Sequence, residues 1–198
     1  MEKLNSRNAS FYCEPILASE ENISLIKSFE TRKEGQGLCL YLKKQAINDE
    51  LDKLMRTYLV KDKETKELVG YFSLKAGMVT YNESILGNAF DSMPGIEIAN
   101  FAVNEFYKKN HAEEIQESIG VTIFVNFILP IIEEVSSQIG IKIIYVFALP
   151  SENLIRFYQK LNFQRLPRWV ERKIHRRIKP NYDKECIFMC QLVKTDIT

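Results

Sequence analysis

The clearest pattern in the chain is a run of apolar residues at helical spacing. Phe124, Phe127, Ile128, Ile131, Ile132 and Val135 fall at i, i+3, i+4, i+7, i+8 and i+11. That spacing lays one apolar stripe along a helix. Pro130 lies inside it, off the stripe, where its missing N–H and its ring predict a kink. Further helices are predicted over 20–29, capped by Ser19 with Ile23, Ile26 and Phe29 on one face, and over 38–46 through Leu38, Tyr41, Leu42 and Ala46. Another opens after Ser151 on Leu154, Ile155, Phe157, Tyr158 and Leu161, and Asn162 beyond its last turn suits a left-handed cap.

Strand-like runs occupy 11–17, 56–61, 67–76, 95–103, 163–166 and 186–193, rich in β-branched and aromatic residues. Residues 62–66 read as a polar hairpin connection, and 82–94 as a loop. The run 141–149 is almost unbroken apolar, as in a central strand. The order is strand, two helices, three strands, helix, strand, helix, two strands. It predicts one α/β domain over 1–198, with no internal repeat and no linker.

Composition narrows the function only a little. Hydrophobic residues make up 45 % and charged residues 27 %, ordinary globular values. With 27 Lys and Arg against 26 Asp and Glu, the net charge of +1 singles out no partner. Residues 1–7 carry charges with no apolar core behind them, unlike a secretory signal. The longest charge-free apolar stretch, 121–132, falls short of the roughly 20 residues a membrane span needs. A soluble, cytoplasmic protein without membrane contact is expected. Cys13, Cys39, Cys186 and Cys190 form no CxxC pair, and only His111 and His175 accompany them, so no metal site is expected.

Local charge is uneven. Residues 165–184 hold eight Lys and Arg against Glu171 and Asp183, with Trp169, His175 and Tyr182 interleaved. Such a stretch can hold RNA phosphates or an anionic ligand; a solvated charged face is the plainer reading.

Three stretches carry a resemblance. They are Glu67-Leu68-Val69-Gly70-Tyr71-Phe72-Ser73-Leu74, then Ile98-Ala99-Asn100-Phe101-Ala102-Val103, and then 148–163 with Asn153, Phe157-Tyr158 and Asn162-Phe163. Together, over roughly 17–192, the chain resembles the GNAT superfamily of acetyl-CoA-dependent N-acetyltransferases. The front half, through Phe29, Leu42, Ala46, Thr57 and Val60, looks like a subgroup that includes toxin acetyltransferases acting on charged tRNA.

The resemblance implies a mixed, mostly antiparallel sheet of six or seven twisted strands with helices on both faces. It implies acetyl-CoA as acyl donor, no metal, and a small-molecule or macromolecular amine as acceptor. Backbone groups of Phe101, Ala102 and Val103, on a fourth strand that parts from the fifth, would bind the pantetheine arm and thioester. Tyr158 would protonate the departing thiolate, since a phenol is protonated at neutral pH; packing in the core is its other possible role. Glu97 would take the ammonium proton, directly or through water, unless it is a solvent-facing or ion-paired strand carboxylate. His111 is a more remote base. Asn153 matches a residue of the helix that contacts the cofactor.

The family's pyrophosphate loop, Arg/Gln-x-x-Gly-x-Gly/Ala, corresponds to Glu117-Ser118-Ile119-Gly120-Val121-Thr122. Here one glycine remains and an acid stands where a cation or amide is usual. Either the N–H groups of Ile119, Gly120, Val121 and Thr122 hold the phosphates, or the cofactor is held weakly or not at all. Three functions therefore stay in view: an N-acetyltransferase by direct amine attack, a non-catalytic binding module on a degenerate fold, and a tRNA-directed toxin-like acetyltransferase.

Overall fold

A computed structural model describes residues 11–81, 91–112, 118–177 and 185–193. Seven strands hydrogen-bond in the order β1-β2-β3-β4-β5-β7-β6. They are β1 Phe11–Pro15, β2 Arg56–Asp62, β3 Leu68–Tyr81, β4 Asp91–Val103, β5 Ile143–Ala148, β6 Gln164–Arg165 and β7 Ile187–Leu192. β1–β2, β2–β3, β5–β7 and β6–β7 are antiparallel, and β4–β5 is parallel. Two compact units divide the chain: Met1–Leu74 with Asn100–Ile132, and Lys75–Ala99 with Glu133–Thr198.

In the first unit, α1 (Glu21–Lys27), α2 (Gln36–Lys44) and α3 (Ala46–Leu51) cover one face of β2 and β3. Their core gathers Ile16, Ile26, Phe29, Leu42, Ala46, Leu59 and Tyr71. Tyr71 donates its hydroxyl to the Leu38 carbonyl of α2 at 2.7 Å. The preceding residue, Gly70, points the other way. There a Cβ would press on the Ile123 side chain and the Ala102 carbonyl, each at 2.9 Å, so helices lie on both faces. The expected second helix is two helices, because Gln45 leaves helical geometry at φ −126° between α2 and α3. The buried face of α1 also differs from the apolar stripe. Ile23 is 49 % exposed, while Asn22 is buried and donates to the Ile16 carbonyl at 3.2 Å.

The polar stretch after β4 contains a helix that the apolar pattern did not reveal, α4 (Glu105–Asn110). Asn104 caps it. Its Oδ1 accepts from the N–H groups of Phe106 (3.2 Å) and Glu30 (3.1 Å), and its Nδ2 donates to the Leu68 carbonyl at 2.7 Å. One buried amide thus ties α4, the chain after α1, and β3 together.

The periodic stripe becomes α5 (Ile119–Ile123), a π-helical turn (Phe124–Ile128) and α6 (Leu129–Gln138), 20 residues in one run. The π turn sits just before Pro130, and the Leu129 N–H reaches the Phe124 carbonyl, five residues back. Wider hydrogen-bond spacing makes room for the proline ring, so its cost is met by a bulge. The run extends past the charge-free stretch across Glu133 and Glu134. By length and composition alone it passes for a membrane span; Ile123, Phe124, Ile128 and Ile132 line its buried face.

In the second unit every residue of β5 is buried. Val79, Ile143, Tyr145, Phe147, Phe188 and Cys186 form its core with Val170 and Ile174 of α8 (Arg168–Arg177). α7 (Glu152–Lys160) begins after Ser151 as expected, and Asn162 takes φ 66° beyond it. One expectation is corrected. Asp91–Pro94, inside the expected 82–94 loop, belongs to β4: Pro94 offers its carbonyl to the Lys142 N–H at 2.9 Å and Gly95 pairs with Ile143. The described part of the basic stretch from 168 is the helix α8, which Val170 and Ile174 anchor to the core. The rest of the expected loop, 82–90, lies outside the described residues.

Asn104→Ala leaves two N–H groups and one carbonyl without their partner. It is expected to lower unfolding free energy by about 2–4 kcal/mol, read by urea denaturation.

Candidate active site

The site builds from β4 and β5. Their parallel register pairs Gly95 with Ile143, Ile96 with Ile144 and Glu97 with Tyr145, and among the described residues it ends there. β4 runs on to Val103 and β5 to Ala148, while β5 keeps β7 as a partner on its other edge over its whole length. Past Glu97, then, β4 continues as a strand that β5 does not zip. Phe101, Ala102 and Val103 lie on this continuation, each half-buried.

In the second unit, Glu97 and Tyr145 are register partners, so their side chains share a face. The Tyr145 hydroxyl donates to Glu97 Oε2 at 3.4 Å. Burial raises the Glu97 carboxyl above the ordinary range, against the lowering effects of Lys75 and of the Tyr145 hydrogen bond. Tyr145 is pushed up as well, by burial first and by the Glu97 charge. A Cβ on Gly77 would collide with the Tyr145 hydroxyl, and one on Gly95 would press on Ile143. Two glycines thus let the Tyr145 ring lie close against the sheet. Glu97 is neither a solvent-facing carboxylate nor part of a described ion pair; its described partners are Tyr145 and Lys75.

Tyr158 projects from α7 into the second unit at 6 % exposure, its ring edge-on to Phe157 and Phe163. Among the described residues its hydroxyl has no hydrogen-bond partner. Burial raises its pKa, so the phenol stays protonated well above neutral pH. The ring packs in the core, as one of its two expected roles has it. Asn153, one α7 turn earlier, is exposed.

In the first unit, the expected phosphate-binding turn is the start of a helix. Glu117 lies outside the described residues. Ser118 takes the cap position, and Ile119 and Gly120 are buried. The Thr122 N–H is spent inside the helix on the Ser118 carbonyl at 3.1 Å. The backbone donors of a helix's first turn are therefore those of Ile119, Gly120 and Val121, and Thr122 is not one of them. His111 ends α4 with its Nε2 2.7 Å from Glu67 Oε2 and its ring stacked on Tyr107. That contact places it against the β2–β3 hairpin.

α8 sorts its charges by face. Glu171 turns inward to accept from the Phe188 N–H at 3.1 Å and to meet Arg165 at 3.3 Å. Arg168, Trp169, Arg172, Lys173 and Arg176 are exposed. The Lys173 ammonium lies 5.0 Å from the Trp169 ring centroid. Among the described residues no cluster of three or more His, Cys, Asp or Glu could hold a metal, and the four cysteines are free.

Sequence reasoning did not single out Tyr145, although a lone hydroxyl in the apolar run 141–149 marks it. What it lacked was the parallel register that sets Tyr145 beside Glu97.

No family model matches the chain, and no curated protein sequence does. Solved structures do. One is a tyrosine-to-phenylalanine variant of the AtaT toxin bound to the C-terminus of the antitoxin AtaR and acetyl-CoA: 15 % identity, 92 % of this chain, 93 % of that one, TM-score 0.62. A tyrosine-to-phenylalanine variant of KacT matches at 16 % identity over 92 % and 95 %, TM-score 0.62. AtaT complexed with acetyl-methionyl-tRNAfMet matches at 16 % identity over 90 % and 93 %, TM-score 0.60. With an open, mixed seven-stranded sheet, a fourth strand leaving the fifth, and these neighbours along nine-tenths of its length, the chain has the GNAT fold of the toxin acetyltransferases.

Proposed function

We propose that the chain, acting as one domain in the cytoplasm, is an acetyl-CoA-dependent N-acetyltransferase whose acceptor is the amine of a charged tRNA. The observation that carries this reading is the end of β4–β5 pairing at Glu97 and Tyr145 while β4 continues to Val103. A strand edge left open can take an extended ligand arm as though it were another strand. N–H groups fixed beside a thioester carbonyl stabilise the charge that develops on its oxygen. Bound acetyl-CoA would supply the activated acetyl group.

Each remaining role falls to a group with suitable chemistry. An amine attacks only when unprotonated, and a carboxylate whose burial raises its pKa is a better base than an ordinary one. Glu97 fits that role, directly or through a water. Tyr158 holds its proton and can donate it to the departing thiolate. The first-turn N–H groups of Ile119, Gly120 and Val121 would face the phosphates, with Asn153 on α7 nearer the arm. Support for a nucleic-acid acceptor comes from AtaT, whose structure with acetyl-methionyl-tRNAfMet shares this fold, and from α8. There, four exposed cations and an exposed tryptophan offer phosphate contacts and a stacking surface.

The helical turn at 119–122, with its reduced set of donors, favours a second reading: a binding module without catalysis. Calorimetric titration with acetyl-CoA separates the two. Micromolar binding supports the enzyme, and no heat at millimolar acetyl-CoA supports the module.

Three outcomes are expected of the enzyme. Tyr158→Phe should lower turnover about 10²-fold with acetyl-CoA binding retained, the worth of a general acid; full turnover would remove Tyr158 from the chemistry. Because the base acts deprotonated and Glu97 is raised, kcat/KM should fall toward acid pH from a higher pH than an ordinary glutamate would give. Glu97→Gln should erase that limb, and an unchanged pH profile would free Glu97 of the role. Arg172→Glu with Arg176→Glu should cut acetylation of charged tRNA about tenfold or more, steeply with salt, while acetyl-CoA binding stays as in the wild type. Equal rates on tRNA would place the acceptor elsewhere.

A further inference from the structure

α3 carries two adjacent carboxylates that are treated differently. Glu50 is fully matched: Oε1 meets Arg56 Nη1 at 2.5 Å and Oε2 accepts the Thr57 N–H at 2.7 Å. Asp49 is as deeply buried, at 5 % exposure, but has no cation within 4 Å among the described residues. Its partners are neutral: the Gln45 amide at 3.5 Å and the Tyr41 hydroxyl. A desolvated carboxylate with neutral partners only is costly, and a cation beside it offsets that cost.

The surroundings match a particular cation. Met55 Sδ lies 3.4 Å from the Tyr41 hydroxyl, and Asn100 Nδ2 points at the same sulfur from 3.8 Å. Thr57 and Ser73 share a hydrogen bond of 2.9 Å beneath them. Tyr41 and Met55 are half-buried and put an aromatic ring and a thioether among these groups. A ring face attracts a cation, and a thioether packs on apolar groups. Asn100 immediately precedes Phe101, where the open stretch of β4 begins its last three residues.

We propose that Asp49, with Tyr41, Met55 and Asn100, is the seat of the acceptor's primary ammonium and of the apolar side chain beside it, as in an aminoacyl head group. The proposal rests on the acetyltransferase reading, to which it adds the residues that select a cationic acceptor. Asp49 acts here in binding.

The test uses the whole chain without acetyl-CoA, so its outcome is independent of whether acetyl transfer occurs. Wild-type protein, Asp49→Asn and Tyr41→Phe are titrated with methionine amide and with its uncharged N-acetyl form. The wild type should bind the cationic amide and prefer it to the N-acetyl form. Asp49→Asn should weaken the amide about tenfold and remove the preference, as expected for a lost hydrogen bond to a charge. If Asp49→Asn unfolds, Tyr41→Phe, which keeps the carboxylate, carries the test and should weaken the amide about threefold. No binding to the wild type, no preference for the charged form, or equal affinity in a folded variant would each overturn the proposal. Failure of acetyl-CoA to bind the wild type would instead count against the acetyltransferase reading.

Discussion

Everything proposed for this protein depends on a strand pairing that stops early. β4 and β5 share three register pairs and then no more, yet neither strand ends there. In a closed sheet each further residue of β4 would spend its N–H or carbonyl on β5. Here the pairing energy is forgone along a strand whose residues remain extended, buried through Asn100 and half-buried beyond it. A protein retains such an edge where a ligand can complete it.

Each unit anchors its own strand segment. In the second, β5 is fixed from its other side by six pairs with β7 and by the aromatic layer of Tyr145, Phe147 and Phe188 under α8. Tyr145 has a double role there, since its ring belongs to the core and its hydroxyl reaches Glu97. In the first, the far end of β4 is fixed by Asn104, whose amide serves three backbone partners. Each anchorage is made within its own unit and without a ligand.

Much of this was legible in the sequence. The stripe through Ile128 and Ile132, the apolar run of β5, and the left-handed Asn162 all follow from local chemistry, and the structure repeats them; Ser151 precedes α7 but makes no side-chain cap bond. Other features were hidden because they depend on partners distant in the chain. α4 has too few apolar residues to show a period, and it forms because Asn104 caps it and Tyr107 is buried. Ile23 lies on the expected stripe but is displaced by Asn22, which reaches a carbonyl at the end of β1. At the site, Tyr158 and Glu97 were named from resemblance, whereas the pairing of Glu97 with Tyr145 and the isolation of Asp49 are facts of register and packing that no spacing rule conveys.

Amide hydrogen exchange across β4, with and without acetyl-CoA, tests the open edge most directly. The account predicts that amides between residues 98 and 103 gain protection when acetyl-CoA is added, while those of β2, already paired on both sides, stay as they were. Protection in 98–103 that is already at the level of β2 without acetyl-CoA, or that does not change when it binds, would contradict it.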